Sequence, residues 1–298
     1  MMPVRKAVFP VAGLGTRFRP VTSAIPKEML PVVDKPLIDY AIEEAIDAGI
    51  TDLIFVVSGN KDIIVKYLSE QDNIDSIFEG MARSGGPGKT KRNRPSWLNI
   101  EFVFQDEPLG LGHAILCAQK AVGADPFAVL LPDDLILSKV PCLTQMVDKY
   151  REVGGNFIAV VEVEPHQTHM YGILRVVKCR NDLLKVTAMV EKPPIEKAPS
   201  NFAIVGRYIL DAEIFETLGR QRPGRGGEIQ LTEAMDRMLL QQDFYGLRFS
   251  GVRHDCGEKV GLLEANIACF LARPDLSIRT QKALERFVLG SVESGEDK

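Results

Sequence analysis

Short apolar runs alternating with amphipathic stretches dominate the first half of the chain, and no other feature restricts its fold more. "KAVFPVA" (residues 6–12), "DLIFVVS" (52–58), "IEFVFQ" (100–105) and "FAVLLP" (127–132) have the length of covered strands and their β-branched or aromatic content. Between the first two, "PLIDYAIEEAIDAG" (36–49) sets Leu37, Ile38, Ala41, Ile42, Ala45 and Ile46 on one helical stripe, with Pro36 suited to its first turn and Gly49 to its end. Further helices are predicted around residues 61–69 and from about residue 111. Strands and helices alternating at this spacing predict βαβ units and a parallel sheet.

Beyond residue 150 the rhythm changes. "NFIAVVEVE", "YGILRVVK", "LLKVTAMVEKP" and "NFAIVGRYIL" follow one another closely, which favours antiparallel pairing or a mixed sheet. Two helices are predicted at the end, roughly 258–272 and 275–289, with Pro274 between them. The expected fold is therefore α/β: a Rossmann-like open mixed sheet flanked by helices, with antiparallel strands in the second half and C-terminal helices. Residues 1–255 are expected to form one domain and residues 256–298 a helical extension. Residues 79–96, "EGMARSGGPGKTKRNRPS", read as a loop, either a solvated insertion or a basic flap over an anionic ligand.

Composition narrows the function classes. The 298 residues carry 36 basic and 40 acidic side chains, a net charge of −4, which argues against a nucleic-acid binder. Cys117, Cys142, Cys179, Cys256 and Cys269 are scattered with no C-x-x-C pair, so they are expected to be reduced and mostly buried, in a cytoplasmic protein. The first residues enter a strand pattern without signal-peptide architecture, and no apolar run approaches the roughly 20 residues of a membrane span.

The stretch "VAGLGTRFRPVTSAIPKEMLP" (11–31) leaves the first strand through two glycines and then presents Arg17, Arg19 and Lys27. A strand, a glycine turn and a helix place backbone N–H groups at the carboxyl edge of a sheet, where α/β proteins bind ligands. G-x-G-x-x-G fails, because residue 18 is Phe, and the P-loop pattern fails as well, which removes support for dinucleotide oxidoreductases and P-loop NTPases. Arg17 offers a planar fork for phosphate oxygens, and Lys27, between Pro26 and Pro31, a compact charge. In "LLPDDLIL" the adjacent Asp133 and Asp134 suit either a turn or a hard-oxygen Mg²⁺ site. Glu191 and Lys192 in "MVEKP" suit either an exposed ion pair or a ligand site, since a bend before Pro193 could turn both inward.

Taken in order, "AGLGTRFRP…PKEMLP", "QDEPLGLGHAI", "LLPDDLIL", "YGIL", "MVEKP", "IVGRYIL" and "GGEIQLTEAM" resemble the nucleotidyltransferases that make nucleoside-diphosphate sugars, nearest to their bacterial uridylyltransferase branch. The resemblance runs over nearly the whole chain. It implies UTP and glucose 1-phosphate as substrates, UDP-glucose and pyrophosphate as products, and Mg²⁺ as cofactor. It further implies that Ala12, Gly13, Gly15, Gln105 and Gly110 hold the nucleotide, that Gly172, Glu191 and Lys192 hold the sugar phosphate, and that Arg17, Lys27 and Lys192 are the catalytic cations. Asp133 is the implied metal ligand, with Asp255 of "RHDCGE" as a second, while Asp134 is structural. His113 is expected near the base rather than as a general base, and His166, His169 and His254 show no catalytic pattern. Relatives of this type form homodimers or homotetramers, and the two C-terminal helices are a candidate interface. The competing readings are a thymidylyltransferase, a metal-dependent glycosyltransferase and a non-catalytic sugar-nucleotide sensor.

Overall fold

In the computed structural model of the chain, which describes residues 2–59, 62–83, 96–180 and 182–293, the buried run at residues 6–10 forms the first strand, β1 (Lys6–Pro10). A small hairpin, β2 (Pro31–Val32) with β3 (Lys35–Pro36), leads into α1 (Leu37–Asp47), whose stripe is buried at Leu37, Ile38, Ala41, Ile42, Ala45 and Ile46. Then come β4 (Asp52–Val57), α2 (Asp62–Ser69), α3 (Gln71–Arg83), β5 (Asn99–Phe104), α4 (Leu111–Cys117), α5 (Gln119–Val122) and β6 (Phe127–Leu130). β5, β4, β1 and β6 lie side by side, all parallel, with Val8 opposite both Ile54 and Val129. The repeating strand–helix pattern thus gives the expected parallel half.

Helix α3 corrects the expected loop at 79–96. Residues 79–83 are the end of that helix, which buries Ile74, Ile77 and Met81 at helical spacing. The rest of that stretch, including Lys89, Lys91, Arg92 and Arg94, lies outside the described residues.

The second half adds β7 (Asp134–Leu137), α6 (Cys142–Val153), β8 (Asn156–Glu162), β9 (Gly172–Arg180), β10 (Leu183–Glu191) and β11 (Phe202–Leu210). It ends with α7 (Ile214–Arg220), α8 (Leu231–Met238), β12 (Phe244–Arg248), β13 (Val252–Asp255), α9 (Lys259–Ala272) and α10 (Ser277–Glu293). β11 runs antiparallel to β6 and joins the halves into one mixed sheet.

The expectation of an open sheet is corrected here. β11, β8, β12, β10 and β9 pair in sequence, and β9 returns to β11 at Ala203 opposite Ile173, closing a five-strand barrel. Register shifts at Leu183/Leu184 and Val186/Ala188 in β10 and at Ile204/Tyr208 in β11 are the physical reason. Bulges of this kind bend a strand and increase its twist, so the outer strand comes round to meet the inner one.

The sheet is covered on both faces. Ile38 and Ile42 of α1 and Leu143 and Met146 of α6 pack on one; Ile115 of α4, Phe215 of α7 and Met235 of α8 pack on the other. Phe127 and Phe215 stack at 5.1 Å between centroids. A third small core, with Val32, Leu135, Cys256, Ala265 and Cys269, seats α9 against β2 and β7. Cys117, Cys142, Cys256 and Cys269 are free thiols. Among the described residues, no helix is long and apolar enough to cross a membrane.

Candidate active site

Where β1 ends, the Val11 N–H still bonds the Val56 carbonyl at 2.9 Å, and the chain then leaves the carboxyl edge of the sheet. Gly15 is left-handed, with φ 60°, and a Cβ there would crowd Thr22 at 3.1 Å and Lys27 at 3.3 Å, so both backbone and space demand glycine. The Thr22 hydroxyl closes the turn by donating to the Gly15 carbonyl at 2.7 Å. The Lys27 side chain passes beneath Gly13 and forms an ion pair with Asp133. Burial alone would lower the Lys27 pKa, but the Asp133 carboxylate, joined by Glu28 and Asp134, raises it above the ordinary lysine value. Burial likewise pushes Asp133 up, and Lys27 overrides that and holds it below the ordinary carboxylate range. Both groups therefore keep their charges at neutral pH.

Asp133 sits on the turn between β6 and β7. Its neighbour Asp134 accepts the Gly206 N–H at 2.7 Å and an ion pair from Arg253, which ties the turn to β11 and β13. Arg253 also reaches Asp255 Oδ2 at 3.1 Å and donates to the Tyr171 hydroxyl at 3.2 Å. The carboxylates of Asp133 and Asp255 converge at Gly257. A Cβ on that residue would lie 3.2 Å from Asp133 Oδ2, 3.0 Å from Asp255 Oδ1 and 3.5 Å from Arg17 Nη1. Arg17 is tethered there by Glu258 at 3.1 Å. Among the described residues, no three His, Cys, Asp or Glu side chains gather as a complete metal cage. Two carboxylates facing a space left open by glycine fit Mg²⁺, which takes one or two carboxylates and completes its shell with phosphate oxygens and water.

At the other end of the opening turn, Gln105 follows β5, with its own N–H held by the Val57 carbonyl at 2.8 Å. Its Nε2 donates to the Gly110 carbonyl at 3.3 Å and lies 2.9 Å from His113 Nδ1. Gly110 has φ 90°, and a Cβ there would meet Glu228 at 2.8 Å, so the loop before α4 can press against residues 228–229. A cleft of about 420 Å³ opens between these walls, and Ala12, Gly13, Gly15, Lys27, Gln105, Gly110 and Asp133 all line it. That volume is within the range of small-ligand sites.

Gly172, Glu191 and Lys192 do not line this cleft; they form a second group on the barrel. Glu191 faces Gly172 in register across β9 and β10 and accepts the Thr232 hydroxyl at 2.7 Å. Lys192 has φ 45°, the bend that strand alternation alone would not give, and its Nζ lies 3.6 Å from Glu191 Oε1. Lys192 N–H bonds the Tyr171 carbonyl at 3.0 Å, and Tyr171 meets Arg253, so the two groups are joined by one arginine. Arg253, Thr232, Glu228 and Gly257 were not anticipated from sequence. Their motifs, "RHDCGE" and "GGEIQLTEAM", were visible, but only the fold reveals which residues they meet.

The sequence pattern of the nucleotidyl transferase family matches residues 6–269. The chain belongs to the nucleotidyl transferase family. This nucleotidyl transferase is 44% identical over 266 residues to UTP–glucose-1-phosphate uridylyltransferase 1 of Staphylococcus saprophyticus, covering 89% of the chain and 92% of that protein. It superposes on a UDP-glucose pyrophosphorylase complexed with UDP-glucose, with a TM-score of 0.82 and 38% identity, over 91% of this chain and all of that one. A UTP-bound UDP-glucose pyrophosphorylase from Acinetobacter baumannii gives a TM-score of 0.80 at 36% identity, over 94% and 98% of the two chains.

Proposed function

We propose that this nucleotidyl transferase moves a uridylyl group from UTP to glucose 1-phosphate, giving UDP-glucose and pyrophosphate. The observation that carries the reading is the Lys27–Asp133 pair on the wall of a cleft whose far end is Gln105 and Gly110. A base and a phosphate chain need those two ends. The named relatives and neighbours support the choice of UTP and of the glucosyl acceptor.

The acceptor's phosphate oxygen attacks the α-phosphorus of UTP as the bond to the β-phosphate oxygen breaks, and pyrophosphate departs. No proton must be removed from a phosphate already ionised, so no Ser-His or Cys-His pair is required. The difficulty is repulsion: two unit charges 4 Å apart repel by about 4 kcal/mol at an effective dielectric of 20. Lys27, still protonated at neutral pH, faces the phosphates, and Arg17 turns from Glu258 to the triphosphate. Lys192 holds the acceptor phosphate, and Glu191 and the Gly172 backbone grip sugar hydroxyls. These groups align the reactants and offset charge on the transferred phosphoryl and on pyrophosphate. Asp133 and Asp255 would hold Mg²⁺, which when bound adds charge neutralisation at the phosphates. We further assign the protein to the cytoplasm and to a homodimer or homotetramer built through α9 and α10.

Pyrophosphate release measured over a grid of nucleoside triphosphates and sugar 1-phosphates tests the reaction. Turnover is expected with UTP and glucose 1-phosphate, and Arg17→Ala should lower it by roughly 10²–10³-fold with the fold intact. Preference for dTTP would favour a thymidylyltransferase, and tight UDP-glucose binding without turnover a sensor.

A further inference from the structure

Gln105 is 5% exposed, and its amide could read a base edge in either of two orientations with opposite meaning. The surroundings choose one. The amide atom 3.3 Å from the Gly110 carbonyl must be the NH₂ group, because a carbonyl only accepts. That carbonyl also takes the Ala114 N–H at 3.1 Å, which anchors it to the first turn of α4. The same NH₂ lies 2.9 Å from His113 Nδ1, so Nδ1 is the acceptor and the imidazole proton sits on Nε2, facing Cys117 Sγ at 3.9 Å. Both amide hydrogens are committed, and Oε1 is the atom left to meet a ligand in the cleft that Gln105 lines.

We propose that His113 is a positioning residue that sets base selectivity by locking Gln105 with its acceptor oxygen toward the base. The inference rests on the uridylyl reading of the cleft. An outward Oε1 accepts the N3–H of uracil. Cytosine carries a lone pair at N3 and meets the oxygen with repulsion, and thymine, with the same N3–H, is not distinguished. Without His113, the amide turns more freely and can offer NH₂ to cytosine N3. A site built around one hydrogen-bond pattern rejects the wrong partner far more strongly than an apolar pocket does.

The test compares UTP with CTP by kcat/KM in the full-length enzyme, wild type against His113→Phe, which keeps a ring but no acceptor, and His113→Asn, whose side-chain oxygen can stand near Nδ1. The Phe variant is expected to reduce the UTP:CTP preference about ten- to a hundredfold. The change should fall mainly on KM for UTP, while KM for glucose 1-phosphate stays within about twofold. The Asn variant should recover most of the preference. If the Phe variant does not fold, His113→Ala with and without added imidazole at about pH 8, where imidazole is neutral, replaces it, and imidazole is expected to restore the preference. An unchanged UTP:CTP ratio in the Phe variant, an Asn variant no better than Phe, or no rescue by imidazole overturns the proposal. A wild-type enzyme that does not use UTP at all overturns the uridylyl reading instead, so the two failures are distinguishable.

Discussion

Single residues set how this protein responds to acid and base. Asp39 on α1 is almost fully buried, accepts the Tyr67 hydroxyl at 2.8 Å, and has no partner for Oδ1 among the described residues. Burial raises its pKa to about 7, with the Tyr67 bond opposing. In an unfolded chain it ionises near pH 4. Below that value both states are protonated and its contribution is complete. Between about pH 4 and 7 only the unfolded chain releases the proton, so stability falls as pH rises through that window. Asp39→Asn is expected to flatten this slope and to melt roughly 2–4 °C higher above pH 7, the shift of about 1 kcal/mol in a chain of a few hundred residues. Thermal unfolding at stepped pH checks it, and an unchanged slope refutes it. The opening arginine, its lysine and the acidic turn were legible because their spacing is itself chemical information. Arg253 and Thr232 were not, because each acquires its partners only when distant strands pair.

At the scale of elements, β11 is held to the turn that carries Asp133 and Asp134 by one buried cation. Arg207 uses all five of its N–H groups: two on Glu44, and one each on the Leu131, Gly206 and Asp134 carbonyls, at 2.8–3.0 Å. Glu44 on α1 in turn accepts the Leu143 N–H of α6 at 2.9 Å. Removing one partner of such a pair leaves an uncompensated buried charge, so Glu44→Ala is expected to cost about 3–5 kcal/mol, read by denaturant unfolding. A loss below about 1 kcal/mol would show that this pair does not hold α1 to β11. The parallel half of the sheet could be read in advance, because covered strands are continuous apolar runs. Barrel closure could not, because bulges and accumulated twist leave no regular mark on hydrophobic period. Helix α3 was missed although Ile74, Ile77, Phe78 and Met81 stand at helical spacing, because its end runs into a glycine- and charge-rich stretch that reads as a loop.

For the whole molecule, the outer side of the C-terminal helices is the surface that most needs explaining. Val260 and Leu263 of α9 and Ile278 of α10 are 67%, 59% and 66% exposed. Exposed apolar side chains on two adjoining helices are the kind of surface that contacts cover, and we propose that a second copy covers these. Sedimentation of the wild type is expected to give a dimer or tetramer, and Leu263→Asp a smaller species that still binds nucleotide. A monomeric wild type at micromolar concentration would refute the interface.

The barrel closes where β9 meets β11 at Ile173 and Ala203, and Ile173 is the immediate neighbour of Gly172. The proposed acceptor end thus lies on the hem of a garment closed by its last stitch. Wear at that stitch is expected to surface first as sloppy handling of the incoming sugar ester, while the triphosphate, whose proposed seat is on the parallel half, would still be grasped as before.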